Sequence, residues 1–100
     1  MNILIVDDEP AIAETLAYAL RGEGFASEHC LLGGEALAKL AQDGPFALVV
    51  LDVGLPDMSG FDVCRQLRRH SDIPVLFLTA RADEVDRIVG LELGGDDYVA

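Results

Sequence analysis

Two short apolar runs end abruptly in acidic residues, and that pattern constrains the fold more than any other. Ile3-Leu4-Ile5-Val6 runs into Asp7-Asp8, and Ala47-Leu48-Val49-Val50-Leu51 runs into Asp52. Runs of four or five apolar residues bounded by polar ones read as strands covered on both faces, the habit of parallel sheets. The carboxylates then lie at strand C-terminal ends. In an open α/β sheet that edge is where ligands bind.

The remaining segments alternate in the same way. Pro10 suits a helix start, with Ile12, Leu16, Ala19 and Leu20 on one face and Gly22 or Gly24 as the stop. Phe25–Cys30 is a weaker strand. Gly33-Gly34 introduces a second helix with Leu37, Leu40 and Ala41 inward, closing near Gly44-Pro45. A turn-rich loop, Gly54 to Gly60, follows the third strand. Phe61, Cys64 and Leu67 lie along a third helix, with Arg68 at its edge. Val75-Leu76-Phe77-Leu78 is a fourth strand, Val85, Ile88 and Val89 mark a fourth helix, and Tyr98-Val99-Ala100 begins a fifth strand. The order βαβαβαβαβ predicts a doubly wound parallel sheet with right-handed crossovers. With flavodoxin-like order 2-1-3-4-5, strands 1 and 3 are neighbours and the switch point falls between them, which gathers Asp7, Asp8 and Asp52.

Bulk properties exclude several functions. The chain has 100 residues and 51% hydrophobic content, which fits one domain spanning 1–100. A formal charge of −11 argues against binding nucleic acid or an anionic membrane through this stretch. Cys30 and Cys64 are far apart and form neither a disulfide framework nor a zinc motif, so a reduced cytoplasmic setting is expected. No apolar run approaches the ~18 residues of a membrane span, and no signal peptide is visible. His29 and His70 read as surface residues, and Cys64 as core.

Two carboxylates about 4 Å apart repel by roughly 4 kcal/mol at an effective dielectric near 20, so three together need a reason. Mg²⁺ supplies one, because it takes oxygen ligands and is commonly shared with phosphate. A carboxylate can also attack phosphorus and become an aspartyl phosphate. The competing explanation is that each Asp caps the helix after its strand.

ILIVDDEP, LVVLDVGLPDMSGFDVCRQLR, PVLFLTAR and GLELGGDDYVA, in this order and spacing, resemble the receiver domain of bacterial two-component response regulators. The likeness covers essentially the whole chain. It implies a phosphorylation-controlled switch, accepting a phosphoryl group from a sensor histidine kinase with Mg²⁺ and relaying it to an output such as transcription regulation. Such a domain is a stoichiometric acceptor that assists its own phosphorylation and dephosphorylation, not a turnover enzyme. Residue by residue, Asp52 matches the phosphoacceptor, and Asp7 and Asp8 match the metal-binding acids. Gly54 matches the position whose backbone carbonyl binds the metal. Thr79 matches the hydroxyl that turns toward the phosphoryl group, Ala80 the small neighbour that leaves room for it, and Tyr98 the aromatic that follows. The last segment, with Arg87, Asp96 and Asp97, resembles the subgroup with a C-terminal winged-helix DNA-binding domain. That subgroup forms homodimers through helix 4 and strand 5, and would reach DNA only through a domain outside this chain.

The resemblance also places a phosphoryl-contacting lysine immediately after Ala100, followed by a fifth helix, and both are absent from this chain. A chain lacking them is expected to be less stable and to transfer phosphate less well. Other readings fit worse. A haloacid-dehalogenase-type phosphatase wants D-x-D after the first strand, where this chain has Asp7-Asp8-Glu9. A flavin mononucleotide module wants a hydroxyl- and glycine-rich phosphate loop there. A receiver-like module that binds without phosphorylation is the alternative.

Overall fold

The computed structural model describes residues 2–42 and 45–78, and the backbone of 97–99. Its elements are β1 (Asn2–Val6), α1 (Pro10–Gly22), β2 (Ala26–Cys30), α2 (Gly33–Gln42), β3 (Leu48–Asp52), α3 (Gly60–Leu67), β4 (Val75–Leu78) and β5 (Asp97–Val99). The five strands form one parallel sheet in the order β2-β1-β3-β4-β5, the flavodoxin-like order. The expected fourth helix, with Val85, Ile88 and Val89, lies outside the described residues.

Pleating sends alternate residues to opposite faces. Leu4, Val6, Val49, Leu51, Val75 and Phe77 meet Ala36 of α2 and Val63, Cys64 and Leu67 of α3 in one buried cluster. Phe61 packs edge-on against Phe77, with ring centres 5.1 Å apart. Ile3, Ile5 and Val50 are buried outside that cluster, as is Ala13 of α1. Both cysteines are buried and unbridged, and the burial of Cys64 agrees with its reading as core.

Two helix faces are rotated from expectation. In α1, Ala13 is buried and Leu16, Ala17 and Leu20 are half-buried, whereas Ile12 and Ala19 are exposed. In α2, Ala36 is buried and Leu37 and Leu40 pack on the core, but Ala41 is exposed. Both helices carry alanine on several sides, so apolar periodicity alone leaves their phase open.

The termini of the elements are secured by specific groups. Pro10 opens α1 at its first position, and Gly24 adopts φ 89° beyond its end. The Ser59 side chain caps α3 by accepting the Phe61 N–H at 3.1 Å. After α3, the Arg68 guanidinium donates to the carbonyls of Ile73 (2.6 Å) and Ser71 (3.3 Å), tying down the turn before β4.

Candidate metal and phosphoryl site

Strand register assembles the acidic edge. Val6 of β1 pairs with Leu51 of β3, so Asp7, the residue after β1, and Asp52, the last residue of β3, stand at the same level of the sheet edge. Asp7, Asp8 and Asp52 each present a carboxylate oxygen within 4.8 Å of the others. Among the described residues no other three acidic, histidine or cysteine side chains converge in this way. Asp7 is 2% exposed, Asp52 is half-buried and Asp8 faces solvent.

The capping explanation fails on geometry. Asp7 Oδ1 accepts the N–H of Glu9 at 2.8 Å, and Asp52 Oδ1 accepts that of Gly54 at 3.1 Å. Both are two-residue side-chain turns, which orient a carboxylate without satisfying a helix terminus. The helix after β3 is capped by Ser59 instead. Asp7 and Asp52 are thus each fixed by one backbone N–H, with carboxylate oxygens close to the other acids.

That crowding shows in the electrostatics. Burial pushes the Asp52 carboxyl above its ordinary range. The Gly54 N–H pulls it back, and the negative charges of Asp7 and Asp8, with a carboxyl–carboxyl contact to Asp8, raise it further. The donor set is oxygen only, which suits a hard divalent cation and not a thiolate- or imidazole-seeking metal.

The loop after Asp52 is anchored at three points. The Gly60 N–H donates to the Val53 carbonyl at 2.9 Å, and Gly60 lies directly against the Asp52 carbonyl. Leu55 is buried in the core. The third anchor, Asp57, escaped sequence reasoning. Its two carboxylate oxygens accept the N–H groups of Gly33 and Gly34, each at 2.9 Å, at the start of α2. Those bonds lower the Asp57 pKa. The Gly33-Gly34 pair hinted at a helix start, but its partner is 24 residues away in sequence. His29, read as a featureless surface residue, is exposed yet donates from Nε2 to the Asp7 carbonyl at 2.8 Å.

Thr79, Ala80, Arg87 and Asp96 lie outside the described residues. Tyr98 and Asp97 stand in β5, opposite Phe77 and Leu76 of β4. Gly54 follows β3, with its N–H on the Asp52 carboxylate.

A five-stranded parallel sheet of order 2-1-3-4-5, with three carboxylates at the switch point, defines a receiver-type α/β domain. Residues 3–100 match the response regulator receiver domain family, and the chain belongs to it. It is 54% identical over 100 residues to the transcriptional regulatory protein CreB of Escherichia coli, covering 99% of this chain and 43% of CreB. It is 50% identical over 98 residues to the DNA-binding response regulator MtrA of Mycolicibacterium smegmatis, covering 98% and 42% of the two chains. The BeF3-activated N-terminal receiver domain of Klebsiella pneumoniae RstA superposes with a TM-score of 0.93 at 30% identity, covering 99% of this chain and 84% of that one. The chain therefore spans less than half the length of these curated relatives, and matches them as a receiver domain of two-component response regulators. No described helix is long and apolar enough to cross a membrane.

Proposed function

We propose that this chain is a phosphorylation-controlled switch in which Asp52 accepts a phosphoryl group from a histidine kinase. The observation that carries this reading is the gathering of three carboxylate oxygens within 4.8 Å at the C-terminal edge of β1 and β3. In the transfer, a carboxylate oxygen of Asp52 forms a bond to phosphorus as the bond from phosphorus to the kinase imidazole nitrogen breaks. The imidazole leaves with that electron pair and takes a proton. The Gly54 N–H fixes one Asp52 oxygen, and burial raises the basicity of the carboxylate that attacks.

Asp7, Asp8, Asp52 and the Gly54 carbonyl would hold Mg²⁺, which when bound supplies positive charge against the carboxylates and the incoming phosphoryl oxygens. Asp7 and Asp8 hold that charge in place and take no part in bond making. The Thr79 hydroxyl then bonds the new phosphoryl oxygen, Ala80 leaves it space, and Tyr98 follows. This is a two-state element biased by local charge. The output is pairing of two copies through helix 4 and β5, using Arg87, Asp96 and Asp97. DNA is reached only through a further domain; the relative MtrA is a DNA-binding response regulator. The protein acts in the cytoplasm as a stoichiometric acceptor that slowly loses its own acyl phosphate to water.

The test is incubation with acetyl phosphate and Mg²⁺, read by intact mass, on a chain extended through the lysine that the family places after Ala100. One phosphoryl adduct is expected, absent in Asp52→Asn and absent without Mg²⁺. No adduct, or one that survives Asp52→Asn, would overturn the assignment and favour a module that binds without phosphorylation.

A further inference from the structure

Asp7 follows β1 directly, and the hydrogen bonding of its backbone is unusual. The Asp7 N–H donates to the Cys30 carbonyl at 3.0 Å, as a parallel ladder requires. In a ladder continued by one step, the N–H of Leu32 would donate to the Asp7 carbonyl. But β2 ends at Cys30 and α2 begins at Gly33, so the backbone has already turned away. The neighbouring Leu31 N–H donates to the Glu35 carboxylate at 3.2 Å. The missing donor is replaced by a side chain: His29 Nε2 donates to the Asp7 carbonyl at 2.8 Å. A carbonyl only accepts, so Nε2 carries the proton in this contact.

We propose that His29 is a positioning residue for the cation site, completing the β1–β2 ladder by a side chain so that Asp7 and Asp8 are held opposite Asp52. The idea rests on the cation reading given above. Three observations make it specific. Asp7 is held to β2 through both its backbone N–H and its carbonyl, and only the second bond depends on a side chain. Asp7 is the buried carboxylate of the three, and its Oδ1 is already committed to the Glu9 N–H. Rotation of the Asp7–Asp8 peptide would therefore move both cation-facing carboxylates together. Finally, His29 sits on the sheet's edge strand, beyond which no described strand can supply a replacement donor.

The test is isothermal titration of the metal-free full chain with Mg²⁺, comparing wild type, His29→Phe, His29→Ser, His29→Gln and Asp8→Asn, with the metal-free melting temperature of each. Phenylalanine and serine remove a donor at this reach, whereas the glutamine amide can restore one. His29→Phe and His29→Ser are expected to weaken Mg²⁺ binding by about three- to tenfold, less than loss of a group that bonds a ligand's own side chain. Their metal-free melting temperatures should fall by only a few degrees, because His29 is exposed. His29→Gln should bind within about twofold of wild type. A purely structural role would lower the melting temperature of every His29 variant without this split in affinity. Unchanged affinity in His29→Phe and His29→Ser, while Asp8→Asn loses binding, overturns the proposal and leaves the cation reading standing. Absence of Mg²⁺ binding in the wild type removes the cation reading, and the proposal with it.

Discussion

Alanine at position 60 is expected to damage stability and the acidic site together. A Cβ on Gly60 would collide with the Asp52 carbonyl oxygen, and would lie 2.9 Å from Cα of Val53 and 3.0 Å from the Asp52 carbonyl carbon. All three are backbone atoms of the segment that carries the proposed acceptor. The φ of Gly60 is not the obstacle, since among the described residues Gly24 alone has a positive φ. Two effects of opposite sign compete. In a helix, alanine is favoured over glycine by up to about 1 kcal/mol. Overpacking a filled site costs about 1–3 kcal/mol, and the upper end applies where backbone must move. The net loss should be about 2 kcal/mol, which lowers the melting temperature of a domain this size by about 8–16 °C. Gly33→Ala is the control. Its Cβ would meet Met58 Cγ at 2.6 Å and Val63 Cγ2 at 2.7 Å, but these are side-chain atoms, and methionine can re-orient. Thermal unfolding by circular dichroism measures both variants, and acetyl phosphate labelling well below the transition reports the site. If Gly60→Ala melts within about 2 °C of wild type, or Gly33→Ala loses more, the steric reasoning is wrong.

Three further outcomes follow from the same structure. Asp57 has a lowered pKa, so its contribution is present above the ordinary carboxylate value of about 3.9 and is lost as pH falls through the lower folded value. Asp57→Asn should therefore lower the urea midpoint near pH 7, and a gap that persists unchanged at pH 2–3 would contradict the carboxylate role. Asp52 has a raised pKa, so its ionisation costs stability as pH rises from about 3.9 through the folded value, and that cost remains above it. Metal-free Asp52→Asn should then be more stable than wild type at pH 7, and Mg²⁺ should narrow the difference; a less stable variant counts against the repulsion. Ser59→Ala removes the α3 cap and should cost about 1 kcal/mol by chemical denaturation, whereas an unchanged midpoint would show that the cap is redundant.

How much of this was legible in the sequence depends on the distance over which each signal acts. The strands announced themselves because burial on both faces leaves continuous apolar runs, and Asp7, Asp8 and Asp52 stood out as the places where those runs stop. Their meeting needed the flavodoxin-like strand order, which alternation alone does not choose over other doubly wound orders and which the family resemblance implies. Helix phase was less legible. The segment Pro10–Gly22 has alanine, leucine or isoleucine on most sides, so docking against the sheet, not periodicity, decided that Ala13 turns inward and Ile12 does not. Asp57 and His29 were illegible for another reason. Each acts on a backbone group 22 to 24 residues away, and nothing local distinguishes such a residue from an ordinary polar one on a loop or strand edge.

These two residues also explain how an acidic cluster can be held without a large supporting shell. Asp7 and Asp52 lie one residue past the last paired positions between β1 and β3, and Asp52 remains paired with Leu78 of β4. On the β1 side, the constraint is extended by the Glu9 N–H on the Asp7 carboxylate and by His29 on the Asp7 carbonyl. On the β3 side it is extended by the Gly54 N–H, by Gly60 against the Asp52 carbonyl, and by Asp57 bridging the loop to α2. Repulsion among three carboxylates tends to splay the strand ends apart, and these contacts oppose it from both sides. The site can then keep the Asp52 carboxyl at a raised pKa without fraying. Removing a contact on either side should loosen the acids before it melts the sheet, because the apolar core beneath β1, β3 and β4 does not depend on those contacts.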